Sequence, residues 1–131
     1  PWPGCLTITG KEGADARAWY AATQMPVLAW SPLGGGYLLQ REAAIDNQAG
    51  PYDSPVNAKR RDRLHDLAAR RGVSAEQLSL AYLLRQDMNV IPVVAASTPE
   101  RIRALLAAPG IALSIEERDW LDLREDSRCS V

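Results

Sequence analysis

Two short apolar runs stand out against longer stretches in which apolar and polar residues alternate with helical spacing. Residues 27–30 read Val-Leu-Ala-Trp, and residues 90–94 are nearly all aliphatic apart from Pro92. Runs of this length and composition are typical of parallel strands that are covered on both faces. We therefore predict a strand at each run, with Pro92 at an irregular position of the ladder.

Two of the helical segments are marked by the residues at their ends. Asp15 is a good N-cap for a helix over residues 16–24. A strongly amphipathic helix is predicted to begin at Asn57 and to end at Gly72, since glycine is typical of the position after a helix. Its apolar face carries Leu64, Leu67 and Ala68, and its basic residues lie largely elsewhere.

Three further helices are marked by their first residues. Ser74 and Ser114 each precede a Gln or Glu by three residues, which is the pattern of a capping box. Thr98 followed by proline indicates the start of another helix. The helix over residues 75–85 is apolar on several faces, so we expect it to be deeply buried. The remaining segments are a strand or ordered loop at residues 5–9, a helical turn at residues 37–39 and a long loop at residues 41–55.

Alternating strands and helices imply right-handed crossovers and a parallel sheet whose ligand sites lie at the carboxyl ends of the strands. Two strands cannot form a covered sheet, because each would leave an unpaired apolar edge. A complete eight-stranded barrel needs about 250 residues, and this chain has 131. We therefore predict an α/β fold: residues 1–131 form a partial domain, the C-terminal part of a TIM (β/α)8 barrel, with two parallel strands and about five helices.

Composition and charge argue against some classes of binding partner. The chain has 15 basic and 16 acidic residues, so it has no overall field that would attract nucleic acid or an anionic membrane. No run approaches the roughly 20 apolar residues of a membrane span, and no segment has the form of a signal peptide. We expect a soluble, cytoplasmic protein with no nucleic-acid or membrane partner. Since the chain starts at Pro1 rather than methionine, we expect that it was processed, excised or recorded without its beginning.

The cysteines indicate neither a metal site nor a redox function. Cys5 and Cys129 are the two cysteines, and their spacing matches neither a zinc site nor a redox pair. Two free thiols are expected in the cytosol, with a disulfide as the alternative in an oxidising compartment. No metal site is predicted.

The candidate chemistry follows the two predicted strands. After the first comes a glycine-rich loop, in which Pro32 fixes φ beside the hydroxyl of Ser31, and three consecutive glycines allow backbone N–H groups to approach an anion. After the second come Ser97 and Thr98 at a helix start, with Arg101 one turn further on. Two such junctions indicate a ligand that carries more than one phosphate.

Three stretches resemble one family. Residues 28–36, Leu-Ala-Trp-Ser-Pro-Leu-Gly-Gly-Gly, are similar to the strand-seven motif of aldo-keto reductases. Residues 72–84 resemble the penultimate helix of that family, and residues 90–106 resemble its last strand and the cofactor-binding helix that follows. The resemblance extends over about residues 14–123, in the family's order.

The resemblance implies a binding site for NADP, with NAD as an alternative. Trp30 would stack on the nicotinamide, although a tryptophan in the core at a strand end is also consistent with the sequence. The loop would follow the pyrophosphate, with a plain turn as the alternative, and the second junction would hold the adenosine phosphate. The implied residues are Ser31, Pro32, Leu33, Gly34 and Gly36 in the loop, and Ala96, Ser97 and Thr98 at the second junction.

Arg101 aligns with the arginine that covers the adenine or grips a 2′-phosphate, and its alternative is a solvated arginine after a Thr-Pro cap. The sequence also departs from the family here. Many members have lysine at the position of Ala95, and Glu and Asn at the positions of Ala104 and Leu105. One cation and the hydrogen bonds to the adenine edge are therefore missing from the implied site.

The family's catalytic aspartate, tyrosine, lysine and histidine come from early strands of the barrel, which have no counterpart here. We predict no catalytic residue, and we assign His65, on the amphipathic helix, a surface role. The complete enzyme would reduce a small-molecule aldehyde or ketone by hydride transfer, whereas this chain alone would be inactive. The alternative is a non-catalytic fragment that binds a dinucleotide or self-associates through its open sheet edges.

Overall fold

The computed structural model describes residues 8–10, 12–39 and 52–124. Both cysteines, most of the segment at residues 5–9 and most of the long loop at residues 41–55 lie outside the described residues. The predictions made for them therefore stay predictions.

The described residues form five α-helices, two parallel strands and two short 3₁₀ segments, as predicted for the α/β class. The elements in chain order are α1 (Ala14–Thr23), β1 (Val27–Ala29), a 3₁₀ segment (Gly34–Leu39), α2 (Pro55–Arg71), α3 (Ala75–Leu84), β2 (Val90–Pro92), α4 (Pro99–Leu105), a second 3₁₀ segment (Ala108–Gly110) and α5 (Ile115–Leu121).

Three of the predicted helix starts are confirmed by their hydrogen bonds. Ser74 and Ser114 each form a complete capping box, and the Thr98 hydroxyl accepts the N–H of Arg101 at 3.3 Å. Gly72 ends α2 in the left-handed conformation, with φ of 64°. These ends depend on residues within one turn of each other, so local sequence is enough to locate them.

Two predicted helix starts are wrong. Helix α2 begins two residues before Asn57, because Ser54 accepts the Asn57 N–H at 3.2 Å and Pro55 occupies the first helical position. The N-cap of α1 is Gly13 rather than Asp15. A Cβ at Gly13 would lie 2.2 Å from the carbonyl oxygen of Ile8, so only glycine fits this close approach.

The strands are shorter than predicted and run in the same direction. Val27 lies opposite Val90 and Ala29 opposite Pro92 in a parallel register. Pro92 is the last residue of β2, a position at which its missing N–H is tolerated. Beyond β1, Ser31 has a left-handed φ of 51°, so the chain turns away from the sheet.

The expectation that both faces of the strands are covered is wrong for the described residues. Helix α3 packs on β2, and the half-buried residues Val27, Ala29, Val90 and Pro92 share one face. On the opposite face, Leu28 and Ile91 lie side by side and are 67% and 45% exposed. The sheet is thus covered by helices on one face, and its other face is apolar and open.

Helix α3 is the centre of the molecule, as its apolar composition predicted. Leu78 is fully buried between α2 and α5, and Leu80 is buried on the side of α3 that faces α4. The first core cluster consists of Leu64, Leu67, Ala68, Leu78 and Leu121, and the second consists of Leu80, Leu105 and Ala108. None of the helices in the described part of the chain combines the length and apolarity needed to cross a membrane.

Candidate functional site

The carboxyl ends of β1 and β2 lie at the same edge of the sheet. The N–H of Val27 donates to the carbonyl of Asn89 at 2.9 Å, and the N–H of Val93 donates to the carbonyl of Ala29 at 3.0 Å. These bonds align the two strands in parallel up to their last residues. The two loops that carry the candidate residues therefore leave the sheet at one edge, which we call the exit edge (residues 30–36 and 93–101).

The first loop is a compact turn built from left-handed residues. Gly34, Gly35 and Gly36 have φ of 60°, 61° and 96°, which side-chain-bearing residues rarely adopt. The N–H of Gly34 donates to Ser31 at 2.9 Å, and the N–H of Gly36 donates to Leu33 at 3.1 Å. Two of the amides expected to face an anion are therefore engaged within the turn, whereas Gly35 is exposed.

Trp30 lies at the mouth of this turn, and its side chain is 81% exposed. Within the described residues, Trp30 is therefore not part of a core. An exposed indole offers a flat apolar face that can stack on an aromatic ring and exclude water from one side of it.

The second loop brings two hydroxyls to the start of α4. Ser97 and Thr98 are both exposed, and the Thr98 hydroxyl is the N-cap described above. Ala96 is half-buried and packs on the second core cluster. Leu105, at the position where many members of the resembling family have asparagine, is buried in that same cluster. It therefore presents no polar edge to a ligand.

Arg101 has a partner that sequence reasoning missed. Its guanidinium forms an ion pair with the carboxylate of Glu76, in the first turn of α3. The arginine side chain is 42% exposed, so it is partly solvated as well as paired, and the Thr-Pro cap of the alternative interpretation is present. An anion that reaches Arg101 has to compete with Glu76. The two residues are 25 positions apart, so no local sequence signal predicts their ion pair.

One core cluster supports both loops of the exit edge. Leu33, from the first loop, and Ala96, from the second, pack against the cluster formed by Leu80 of α3, Leu105 of α4 and Ala108 of the second 3₁₀ segment. The Ser79 hydroxyl of α3 also donates to the carbonyl of Pro32 at 3.4 Å. The candidate residues of the two loops thus share one packing support.

The groups at the exit edge are suited to binding rather than to proton transfer. An indole, two hydroxyls and a guanidinium do not change protonation near neutral pH. They offer a stacking face, hydrogen-bonding groups and a cation, whereas the amides of Gly34 and Gly36 are engaged within the turn. In the described residues, no group of three or more His, Cys, Asp or Glu side chains is arranged to hold a metal.

Comparison with known families decides the family. The family model described as "Aldo/keto reductase family" matches residues 14–123, which is most of the chain and includes both loops of the exit edge. The chain belongs to the aldo/keto reductase family. The resemblance predicted from the three stretches is therefore confirmed, and the two parallel strands with their helices are consistent with the C-terminal part of a (β/α)8 barrel.

Three similar proteins with assigned functions are also aldo/keto reductases or other reductases by name. The 6-dehydroglucose reductase of Agrobacterium fabrum is 31% identical over 96 residues, which cover 73% of this chain and 27% of that protein. The norsolorinic acid reductase stcV of Emericella nidulans is 34% identical over 92 residues, covering 67% and 23%. The aldo-keto reductase AFTS1 of Alternaria alternata is 31% identical over 108 residues, covering 76% and 29%. The chain spans about a quarter of the length of these relatives.

Proposed function

We propose that this chain is the cofactor-binding, C-terminal part of an NAD(P)H-dependent aldo/keto reductase, and that residues 1–131 form a partial domain of its barrel. The observation that carries the proposal is the parallel alignment of β1 and β2, because it brings both candidate loops to one edge of the sheet. The reductases to which the chain is similar support an oxidoreductase role. The proposed substrate of the complete enzyme is a small-molecule aldehyde or ketone in the cytoplasm.

The coenzyme would supply hydride transfer from C4 of its nicotinamide to the carbonyl carbon of the substrate. Trp30 would stack on the nicotinamide ring and exclude water from one of its faces. The glycine turn would follow the pyrophosphate through Ser31, Pro32, Leu33, Gly34 and Gly36. Gly35 belongs to the same turn and is exposed. Ala96, Ser97 and Thr98 would hold the adenosine phosphate, and Arg101 would pair with a 2′-phosphate.

The ion pair between Arg101 and Glu76 gives this proposal a sharp test. NADPH and NADH are titrated calorimetrically into the wild-type chain and into Arg101→Ala and Glu76→Gln variants. We expect micromolar binding of NADPH, weakened by about three- to tenfold in Arg101→Ala because a half-exposed charge pair is lost. Glu76→Gln is expected to strengthen NADPH binding, since it frees the guanidinium, and to change NADH binding little.

The matched control is Arg103→Ala, two residues further along α4, whose guanidinium is paired with Glu100 on the exposed face of the helix. It should bind NADPH like the wild-type chain. We also expect no oxidation of NADPH by the isolated chain in the presence of an aldehyde. Absence of NADPH binding contradicts the proposed site, and carbonyl reduction that Trp30→Ala abolishes contradicts the proposed inactivity.

The open apolar face of the sheet favours a second candidate function. A face that carries Leu28 and Ile91 needs a cover in water. In the leading proposal, the rest of the barrel provides it. In the second candidate, a non-catalytic scaffold, another copy of the chain provides it.

A further inference from the structure

Arg61 is a buried charge on a helix whose basic side chains were expected to lie away from the core. It is 5% exposed. Its Nε and Nη2 donate to one carboxylate oxygen of Asp62, at 3.3 and 3.2 Å. Nη1 is also buried, and it has no hydrogen-bond partner among the described residues. The Asp62 side chain is 63% exposed, so water screens its charge more than that of the guanidinium.

The guanidinium lies on the ring of Tyr37. Its Cζ is 5.2 Å from the ring centre, which is within the range of a cation–π interaction. Tyr37 directly follows Gly36 at the end of the glycine turn, and its hydroxyl donates to an oxygen of Asp53 at 3.3 Å. A Cβ built on Gly34 would lie 3.7 Å from the Cβ of Tyr37. The guanidinium is therefore packed on the ring of a residue that belongs to the end of the glycine turn.

Stability alone does not account for this arrangement. Replacing a buried, partly satisfied charge by an apolar side chain of similar size is often neutral or stabilising. What the charge can do is act on the neighbouring turn, since a positive charge with little surrounding water attracts an anion over several ångströms. The same contact also presses the Gly34–Leu39 segment against α2.

We propose that Arg61 is a positioning residue for the glycine turn: held on Tyr37, it fixes the Gly34–Leu39 segment against α2 and supplies positive charge that raises the affinity of the turn for a pyrophosphate group. The inference deepens the proposed function and rests on it, because it takes the turn to be the place where the coenzyme's pyrophosphate binds.

The test separates a role of the charge from a purely structural role. NADPH and inorganic pyrophosphate are titrated into the wild-type chain and into Arg61→Met, Arg61→Lys and Arg60→Met variants, and urea unfolding of each is followed by circular dichroism. Arg61→Met should weaken binding of both ligands about tenfold, and Arg61→Lys should restore most of it. Arg60, an exposed neighbour bonded to Asn57, is the matched control and should change neither affinity.

The unfolding data decide between the two roles. We expect Arg61→Met to keep or raise the free energy of unfolding while it loses affinity. A structural role predicts that stability and affinity fall together and that lysine does not rescue them, and that result overturns the inference. Should Arg61→Met fail to fold, Tyr37→Leu, which removes the ring and keeps the charge, is expected to weaken pyrophosphate binding in the same direction.

The outcomes distinguish the inference from the proposed function. NADPH binding that is unchanged in Arg61→Met and Tyr37→Leu overturns the inference and leaves the proposed function standing. Pyrophosphate binding that depends on Arg61 in a chain that does not bind NADPH overturns the proposed function and supports the inference. A chain that binds neither ligand contradicts both.

Discussion

The glycines of the first turn show how single residues determine the shape of the exit edge. Gly36 has φ of 96°, and a Cβ at this position would meet no atom within 4 Å. Space is therefore available for a side chain, and only the backbone conformation excludes one. Gly34 differs, because it is buried and lies under the ring of Tyr52. A substitution at Gly36 would therefore lower stability through backbone strain alone, because its side chain would meet no other atom.

Gly36→Ala therefore tests the effect of backbone conformation without a steric clash. We expect it to lower the free energy of unfolding by about 1 kcal/mol or more, because alanine is strained at a left-handed φ. The matched control is Gly110→Ala, where a Cβ would also meet nothing within 4 Å and φ is not left-handed. It should leave stability unchanged or raise it slightly. Urea unfolding followed by circular dichroism measures both, and equal stabilities of the two variants contradict the prediction.

At the scale of elements, helices α3 and α5 are joined by a polar contact inside the packed region. The hydroxyl of Tyr82, on α3, donates to the carboxylate of Asp122, directly after α5, and Arg124 also pairs with Asp122, at 2.9 Å. Burial, together with the negative charge of Asp122, raises the pKa of Tyr82 well above its ordinary value. The contact therefore requires the protonated phenol.

The direction of this pKa shift predicts how stability depends on pH. An unfolded tyrosine loses its proton near pH 10, whereas the raised pKa keeps Tyr82 protonated in the folded chain. The stabilisation is present in full below about pH 10 and is lost as the pH rises above that value. Tyr82→Phe should be less stable at pH 7 by about 1 kcal/mol and should lose stability less steeply above pH 10. Urea unfolding at several pH values tests this.

The control is Tyr20→Phe, which removes a phenol from α1. This variant should retain the steep alkaline loss of the wild-type chain. If Tyr82→Phe loses stability as steeply as the wild type does above pH 10, the contact with Asp122 is not its cause.

Elements and site could be predicted only as far as their causes are local. The starts of α3, α4 and α5 follow from hydrogen bonds within four residues, and the sequence located them. The predicted start of α1 was wrong because glycine is needed at position 13 to avoid a clash with the backbone of Ile8. Ile8 lies five residues away and outside the helix. The burial of Arg61 is set by Tyr37, far away in the sequence, so a helical pattern could not show it.

For the candidate site, the sequence indicated which loops meet but not how their side chains are engaged. Parallel strands with loops at their carboxyl ends follow from the alternation of elements, and β1 and β2 agree with this. The ion pair of Arg101 with Glu76 and the internal hydrogen bonds of the glycine turn arise only after packing. Those features determine which side chains and amides of the site remain free to contact a ligand.

At the scale of the whole molecule, the uncovered face of the sheet is the main departure from an ordinary domain. Leu28 and Ile91 lie side by side on it, and Trp30 follows at the exit edge. Apolar side chains grouped in this way on a soluble protein usually mark a surface that packs against another one. The described strands also have one unpaired edge each, which allows further strands to join.

We therefore expect the isolated chain to associate with itself through this face. Sedimentation velocity over a range of concentrations should show association in the wild type and weaker association in Leu28→Ser. The matched control is Ile115→Ser, on α5, because Ile115 is 66% exposed, almost the same as Leu28, but lies away from the sheet. A wild-type chain that stays monomeric at all concentrations contradicts this expectation, as does equal loss of association in both variants.

The packing beneath the two loops has a mechanical consequence. Leu33 and Ala96 belong to segments separated by about sixty residues, yet they rest on one set of side chains, contributed by α3, α4 and the second 3₁₀ segment. A displacement of this common support would therefore act on both loops at once.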